Sequence, residues 1–289
     1  MSNYTVLHLH TELSSCTTNI DSVTNYSDYI KRAKELGMKA IAITEHGNCF
    51  EWFKKKSCCE ENGIKYIHGA EFYVTETLDE KIKDNYHCCL YAKNYDGFLE
   101  LNKLISKSFN REDNSFYYSP RISLEDLFGT SNNIIITTAC LGGFFGKGSD
   151  DLQSKVVSFM QQNKDRCFLE IQPHLVEKQI KLNKKLYDIH KTTGIRLMVG
   201  TDTHALNDIH AKGRVILQKA KNIFFGDEEG WDLTFKTYEE LLNILKTQNA
   251  IPYEDYLKAL ENTNIIADMV EEFKIDTSYK YPKLYEDSL

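Results

Sequence analysis

The sequence lacks the features that mark several large classes of protein. It has only 4 prolines and no long apolar run, so it offers neither a Pro-rich linker nor a transmembrane helix. No basic start followed by an apolar stretch marks a signal peptide at the N-terminus. The 8 cysteines form no Cys-x-x-Cys pair, which argues against a zinc ribbon or a thioredoxin-like redox site. We therefore expect a cytoplasmic protein with reduced thiols and no membrane partner.

An excess of basic residues is also missing. The chain has 35 Lys and Arg against 42 Asp and Glu, which gives a formal net charge of −7. A large non-specific nucleic-acid footprint needs a basic face, and this composition does not favour one. The charge does not exclude a nucleic-acid substrate, because bound divalent cations would add local positive charge.

Short apolar runs alternate with longer amphipathic segments along the first 205 residues. The predicted strands are 5–9, 39–44, 65–74, 86–92, 133–138, 168–172 and 196–200. The predicted helices include 27–36, 96–106 and 178–191, and then 208–222, 238–246 and 251–271. This alternation predicts an α/β fold with parallel strands covered by helices. Because no Gly-x-Gly-x-x-Gly follows the first strand, a βα barrel is favoured over a doubly wound sheet.

Side chains that can bind metal recur close to the ends of these predicted strands. They are His8, His10, His46, Glu71, His87, Cys140, Asp202 and His204. His8 with His10, and Asp202 with His204, are i, i+2 pairs, so strand alternation directs each pair to one face. Taken singly, each residue has an ordinary structural alternative as a hydrogen-bonded His, a core Cys or a salt-bridged Glu. The two pairs together favour a shared metal site at the rim where barrel strands converge.

The ligand types restrict the metal and the chemistry. Imidazole and carboxylate groups with one thiolate suit Zn, Mn or Fe. So many ligands exceed the needs of one tetrahedral ion, so we expect two or three divalent ions with Glu71 as a bridge. Such centres serve phosphoryl transfer. The remaining histidines are expected to be structural: His68, His174, His190 and His210. For His174, a contact with substrate is the alternative.

The motifs resemble those of the PHP (polymerase and histidinol phosphatase) domain, in the form found at the N-terminus of bacterial replicative DNA polymerase III alpha subunits. LHLHTELS is similar to its first motif and KRAKELGMKAIAITEHGN to its second. HGAEFYV, YHCCLYAKN, FYYSPRIS, TTACLGGFFGK, FLEIQPH and VGTDTHAL follow in order. The helical stretch WDLTFKTYEELLNIL extends the resemblance over nearly the whole chain. It implies a distorted seven-stranded βα (TIM-like) barrel over 1–205, with a helical extension over 206–289 packed on it within the same domain.

The resemblance also implies a trinuclear metal centre. Its ligand groups would be His8, His10, Glu71 and Asp202 for one metal, Glu71, His87 and Cys140 for a second, and His46 and His204 for a third. The third group needs one more ligand from the loop after the first strand. Most relatives have Asp or His there, but this chain has Cys16 and Thr17. Asp21 is the expected substitute, with Cys16 as the alternative, and Glu45 replaces the usual Asp beside His46.

The function implied is a metal-dependent phosphoesterase, a hydrolase that acts on a DNA 3′ end as a 3′–5′ exonuclease. Glu71, His10 and Asp202 are expected to take part in catalysis. Arg121 is a candidate phosphate clamp, since its guanidinium matches phosphate oxygens, with a surface arginine as the alternative. Another hypothesis is a phosphomonoesterase on a small metabolite, as in histidinol phosphatases. A third is a non-catalytic module that supports a separate DNA polymerase subunit. Since the sequence stops where a polymerase would continue, we expect a free-standing domain or a piece of a larger protein.

Overall fold

Buried β-branched and small residues form the strands of this protein. The computed structural model describes residues 4–16, 20–223 and 230–279. Segments such as AIAI and IIIT are buried at every position, as expected for strands covered on both faces. The strands of the described residues are β1 (Ala40–Ile43), β2 (Lys65–Thr75), β3 (Tyr86–Ala92), β4 (Phe116–Tyr117), β5 (Ser119–Ser123), β6 (Ile134–Thr137), β7 (Cys167–Ile171) and β8 (Arg196–Val199).

Helices connect most of these strands, and side-chain caps define where several of them begin. They are α1 (Tyr26–Glu35), α2 (Trp52–Asn62), α3 (Tyr95–Ser108), α4 (Leu124–Phe128), α5 (Phe144–Lys147), α6 (Asp150–Gln162), α7 (Glu177–Thr193), α8 (Asp208–Ala220), α9 (Tyr238–Gln248) and α10 (Tyr253–Met269), with a 3-10 turn at Glu12–Cys16. Asn94 caps α3, and Thr237 with Glu240 forms a capping box on α9. These caps satisfy backbone N–H groups that the first helical turn leaves unpaired.

The strands form one curled mixed sheet. Its order is β4–β5–β2–β3–β6–β7–β8, and β1 pairs in parallel with β2. The N-terminal segment lies between β1 and β8, because Val6 bridges to Ile41 in β1, and Leu9 bridges to Thr203, which follows β8. The sheet is therefore consistent with a distorted barrel. The rim formed by residues that follow β1, β6 and β8 contains the site described below.

The structure corrects three strand predictions. β3 runs antiparallel to both β2 and β6, where parallel strands were predicted. The connection over residues 76–85 has no helix, and a parallel crossover needs a dozen or more residues, usually with a helix. The predicted first strand at 5–9 makes only isolated bridges. The pair β4 and β5 was not predicted, since these strands are short and follow one another across Tyr118 in a left-handed conformation.

The C-terminal helices contact the sheet and the N-terminal segment. In α10, Asn262 donates to the carbonyl of Leu197 in β8, and Thr263 accepts from the amide of Thr5. Lys65 at the start of β2 donates to the carbonyl of Ala267. The division at residue 205 and the extent of the extension to 289 stay predictions, and residues 280–289 lie outside the described part. Among the described residues, no helix is both long and apolar enough to cross a bilayer.

Candidate metal centre

The rim of the curled sheet brings the predicted ligand side chains together. His8 and His10 come from the N-terminal segment, His46 follows β1, Cys140 follows β6, and Asp202 and His204 follow β8. Glu71 lies in β2 where this strand continues past β1, and it bridges to His46. Because β3 is antiparallel, its beginning lies at this same rim. His87 therefore joins the cluster although it opens its strand.

Local backbone geometry directs several of these side chains inward. Asp202 has φ 46° and Ala139, directly before Cys140, has φ 54°, so both non-glycine residues adopt the left-handed region. Such strain is concentrated at functional sites, where the surrounding structure enforces it. Gly47, which follows His46, also has a positive φ of 60°. A side chain at Gly47 would clash with Pro120, so a glycine is required at this turn.

The first predicted ligand group is His8, His10, Glu71 and Asp202. The Nε2 atoms of both histidines point at the carboxylates: His8 lies 3.4 Å from Glu71 Oε1 and 3.2 Å from Asp202 Oδ1, and His10 lies 3.4 Å from Glu71 Oε2 and 3.3 Å from Asp202 Oδ1. Ligands at about 2.0–2.1 Å from a tetrahedral ion are separated by about 3.4 Å. The spacing of these atoms therefore fits one small divalent ion.

The second predicted ligand group is Glu71, His87 and Cys140, and His46 also lies close to Glu71 and His87. His87 Nδ1 lies 3.0 Å from Glu71 Oε1, and Cys140 Sγ lies 3.4 Å from His87 Nδ1 and 3.9 Å from Glu71 Oε1. A sulfur ligand binds zinc at about 2.3 Å, which lengthens the edges that involve it. Glu71 Oε1 also belongs to the first site. The same oxygen therefore adjoins ligand atoms of both groups, and the bridging role of Glu71 stays a prediction.

The third predicted ligand group is Asp21, His46 and His204, and a ligand atom of His10 lies close to it as well. Asp21 Oδ2 lies 3.5 Å from His46 Nε2, and Asp21 Oδ1 lies 3.3 Å from His204 Nε2. Asp21 is buried, and Arg214 holds its backbone carbonyl and lies 3.7 Å from its carboxylate. Cys16 is exposed and belongs to none of the clusters of the described residues. Asp21 is therefore the better candidate of the two, while Thr17 lies outside the described residues.

Buried polar atoms without hydrogen-bond partners point into this cluster. Among the described residues, His8 Nε2, His10 Nε2, Asp21 Oδ2 and Glu71 Oε2 have no such partner. A buried polar atom left unpaired costs about 1–3 kcal/mol, so a fold that keeps several together needs a compensating ligand. Divalent cations fit this donor set of imidazole, carboxylate and one thiol.

The electrostatics of the cluster favour anionic carboxylates. Burial would raise the pKa of Asp202, but the surrounding His8 and His10 outweigh this and hold that pKa well below its usual range. Burial, together with the Asp202 and Glu71 charges, raises the pKa of Cys140 well above its usual value. A cation at the second site would oppose this shift and favour the thiolate.

Sequence reasoning did not single out Glu170, a fully buried carboxylate in β7 that contacts the cluster from below. Its Oε1 lies 2.6 Å from Nδ1 of His8, and Thr137 and Gln172 donate to its oxygens. Gly200 admits it, because a Cβ there would lie 1.9 Å from Glu170 Oε1. The available signal was a lone charge inside the buried strand CFLEI, since buried carboxylates need partners.

Arg121 does not have the environment of a phosphate clamp. Its side chain is buried, and its guanidinium donates to the carbonyl oxygens of Ile82 and Asn114 and to the backbone and carboxylate of Asp84. These contacts fasten the connection between β2 and β3 to β5. The placement argues against both the predicted clamp and the surface arginine considered as its alternative.

The four remaining histidines lie outside the three sites. His68 contacts Asn102, and His190 contacts the carbonyl of Ile195. His210 contacts Thr24. His174 is buried with its ring stacked on Trp231 at 4.7 Å between centroids. A substrate contact for His174 stays a prediction.

Comparison with known proteins identifies the family of this chain. The sequence profile of the PHP domain matches residues 7–174, more than half of the chain. The chain belongs to the PHP domain family. Its relatives include the DNA polymerase III subunit alpha of Borreliella burgdorferi, 31% identical over 95% of this chain and 24% of that protein. The DNA-directed DNA polymerase of Bacillus phage SPbeta is 28% identical over 96% of this chain and 24% of its own length.

This PHP domain therefore spans about a quarter of the length of these curated relatives. Among solved structures, a two-domain protein from Bacteroides vulgatus with a predicted PHP-like metal-dependent phosphoesterase is similar at a TM-score of 0.45 and 12% identity. That alignment covers 71% of this chain and 52% of the other. A similarity of this size establishes nothing about shared activity.

Proposed function

We propose that this PHP domain is a metal-dependent phosphoesterase that hydrolyses DNA phosphodiester bonds as a 3′–5′ exonuclease. The observation that supports it is the cluster of His, Asp and Glu ligand atoms around Glu71, which lie at spacings suited to small divalent ions. We assign His8, His10, Glu71 and Asp202 to the first metal. Zn, Mn and Fe suit this set of side chains.

Two or three divalent ions, when bound, would supply the Lewis acidity that phosphoester hydrolysis needs. The protein's own part is to hold the ions at a fixed separation and to exclude competing ligands. Glu71 would serve the first purpose, because its Oε1 faces both His8 and His87, its Oε2 faces His10, and its side chain is fully buried. Asp21, with Arg214 beside it, closes the third site from the opposite side.

The DNA substrate is supported by the relatives, whose names identify them as DNA polymerases. The proposed substrate is a DNA 3′ end, and a separate or attached polymerase is the proposed partner. The net charge of −7 leads us to expect weak DNA binding in the absence of metal. The surroundings of His174 and Trp231 beside the cluster are consistent with a substrate contact.

A direct test uses single-stranded DNA labelled at its 5′ end, with Mn²⁺ or Zn²⁺ added to the protein. Stepwise shortening from the 3′ end is expected, and Asp202→Ala should abolish it. Asp150→Asn is a matched control, since Asp150 is an exposed carboxylate on α6. Turnover of p-nitrophenyl phosphate without any shortening of DNA would instead identify a phosphomonoesterase. If neither substrate is hydrolysed by metal-loaded protein, the catalytic proposal is wrong.

A further inference from the structure

A buried ion pair lies directly behind the metal cluster and belongs to none of its three sites. Glu45 and Lys55 are both almost fully buried, and Lys55 Nζ donates to Glu45 Oε1 at 2.7 Å. A buried ion pair is weak evidence for stability, because the loss of hydration offsets much of its attraction. The presence of this buried ion pair therefore needs an explanation other than stability.

The other carboxylate oxygen of Glu45 connects this residue to groups that adjoin the cluster. It accepts a hydrogen bond from the amide of Thr11 at 3.0 Å and another from the hydroxyl of Ser14 at 2.6 Å. A carboxylate paired with Lys55 can only accept hydrogen bonds. The single hydroxyl proton of Ser14 is therefore directed to Glu45.

Because this proton points to Glu45, the Ser14 oxygen can act only as an acceptor toward its other neighbours. Its oxygen contacts the backbone amide of His46 at 3.2 Å and Nδ1 of His10 at 3.0 Å. Since the proton of Ser14 is committed to Glu45, its oxygen must accept from both groups, so Nδ1 of His10 has to carry a hydrogen. Within the described part of the chain, Asp21 Oδ2 also faces this nitrogen, but at 3.9 Å it is too distant for a hydrogen bond.

The consequence lies at the opposite side of the His10 ring. A neutral imidazole with its hydrogen on Nδ1 presents a lone pair at Nε2, which is the atom that faces Glu71 and Asp202. In His8 the Nδ1 atom contacts Glu170, and in His204 it contacts the carbonyl of Asp202. Those partners accept hydrogen bonds only. A hydroxyl can either donate or accept, so the tautomer of His10, unlike those of His8 and His204, depends on a second group that orients the hydroxyl.

We propose that Glu45, held by Lys55, orients the Ser14 hydroxyl and thereby fixes the Nδ1–H tautomer of His10, which makes Glu45 and Ser14 positioning residues for the first metal. The inference rests on the proposed metal-binding function. It gives Glu45, the acidic residue beside His46, a role other than that of a metal ligand or a proton carrier. Groups of this kind behind a ligand typically change metal affinity by about 10–100-fold.

The first test measures zinc affinity by competition with a chromophoric chelator. Ser14→Ala, which removes the acceptor, is expected to weaken binding at the tightest site by about 10–100-fold. Ser14→Thr keeps the hydroxyl and should restore most of the affinity. Ser108→Ala is the matched control, because Ser108 is equally buried and donates to the carbonyl of Ile105 far from the cluster. Unchanged zinc affinity in Ser14→Ala, or an equal loss in Ser108→Ala, would overturn the proposal.

The second test distinguishes the direction of the hydroxyl from its mere presence. The double variant Glu45→Gln with Lys55→Met keeps Ser14 and removes both buried charges, so no unpaired charge remains to unfold the protein. Its amide can donate to Ser14, which frees the hydroxyl to donate to Nδ1. We expect a shift of His10 toward the Nε2–H tautomer together with weaker zinc binding. Wild-type affinity in this variant would contradict the role of Glu45.

The tautomer itself can be read by ¹⁵N NMR of metal-free protein at pH 8, where an ordinary imidazole is neutral. The wild-type spectrum should show His10 protonated at Nδ1, and Ser14→Ala should show a mixture. A wild-type His10 protonated at Nε2 would refute the inference. If the wild-type protein bound no metal, the proposed function would fail, while this spectrum would still decide the tautomer.

Discussion

Removal of divalent metal should destabilise this PHP domain substantially, and the size of the effect can be worked out from its unpaired atoms. Four buried polar atoms in the cluster lack a hydrogen-bond partner among the described residues, namely those of His8, His10, Asp21 and Glu71. At about 1 kcal/mol each, the low end for unpaired buried groups, metal-free protein loses about 4 kcal/mol. In a chain of this size, 1 kcal/mol corresponds to roughly 2 °C in melting temperature, so the expected decrease is about 8 °C.

Differential scanning calorimetry of the same preparation, before and after chelation and dialysis, measures this difference. The metal content of both samples should be determined by mass spectrometry, so that removal is documented. Asp202→Asn, which weakens the first site, should have a smaller melting-temperature shift on chelation than wild type. A wild-type protein that loses its metal and melts within about 2 °C of the loaded form would refute the argument from unpaired atoms.

Three further predictions follow from single side chains. Cys140→Ser should lower metal content by about one equivalent per chain, because a thiolate ligand of the second site is lost; unchanged content would contradict that assignment. Arg121→Met should lower the unfolding free energy by about 3 kcal/mol and leave phosphoesterase kcat/KM unchanged. Lost activity at unchanged stability would instead support the role of Arg121 as a phosphate clamp. Burial lowers the pKa of His68 in the folded protein to about 4. The unfolded chain therefore binds a proton at His68 at a higher pH than the folded protein does, so the free energy of unfolding should fall as the pH drops from about 6.5 to about 4. Urea unfolding of His68→Gln across that range should show a smaller decrease, and an identical decrease would contradict this assignment.

Most ligand residues of the cluster could be predicted because they occur in short local sequence motifs. His8 with His10, and Asp202 with His204, each combine a strand signal with two ligand-type side chains on one face, so local alternation alone relates them. The βα alternation then places separate strand ends at one rim. Asp21 could be named only through the family resemblance, since its loop has no periodicity that could predict where it folds.

Features that depend on long-range pairing were not predictable in the same way. The direction of β3 depends on how it pairs with β2 and β6, and its apolar pattern is the same for either direction. Arg121 occurs in a motif of the family, but only the fold shows that carbonyl oxygens surround its guanidinium. Glu170 becomes recognisable as a partner of His8 only when β7 is placed beneath the N-terminal segment.

The metal content of the protein tests the central claim most directly. The protein should be equilibrated with Zn²⁺ or Mn²⁺, freed of loosely bound ions by gel filtration and analysed by inductively coupled plasma mass spectrometry. The three proposed ligand sets predict about three equivalents per chain in wild type and a clear loss in Asp202→Ala, because Asp202 faces both His8 and His10. Fewer than about two equivalents in folded wild-type protein would contradict a multi-metal centre at this rim.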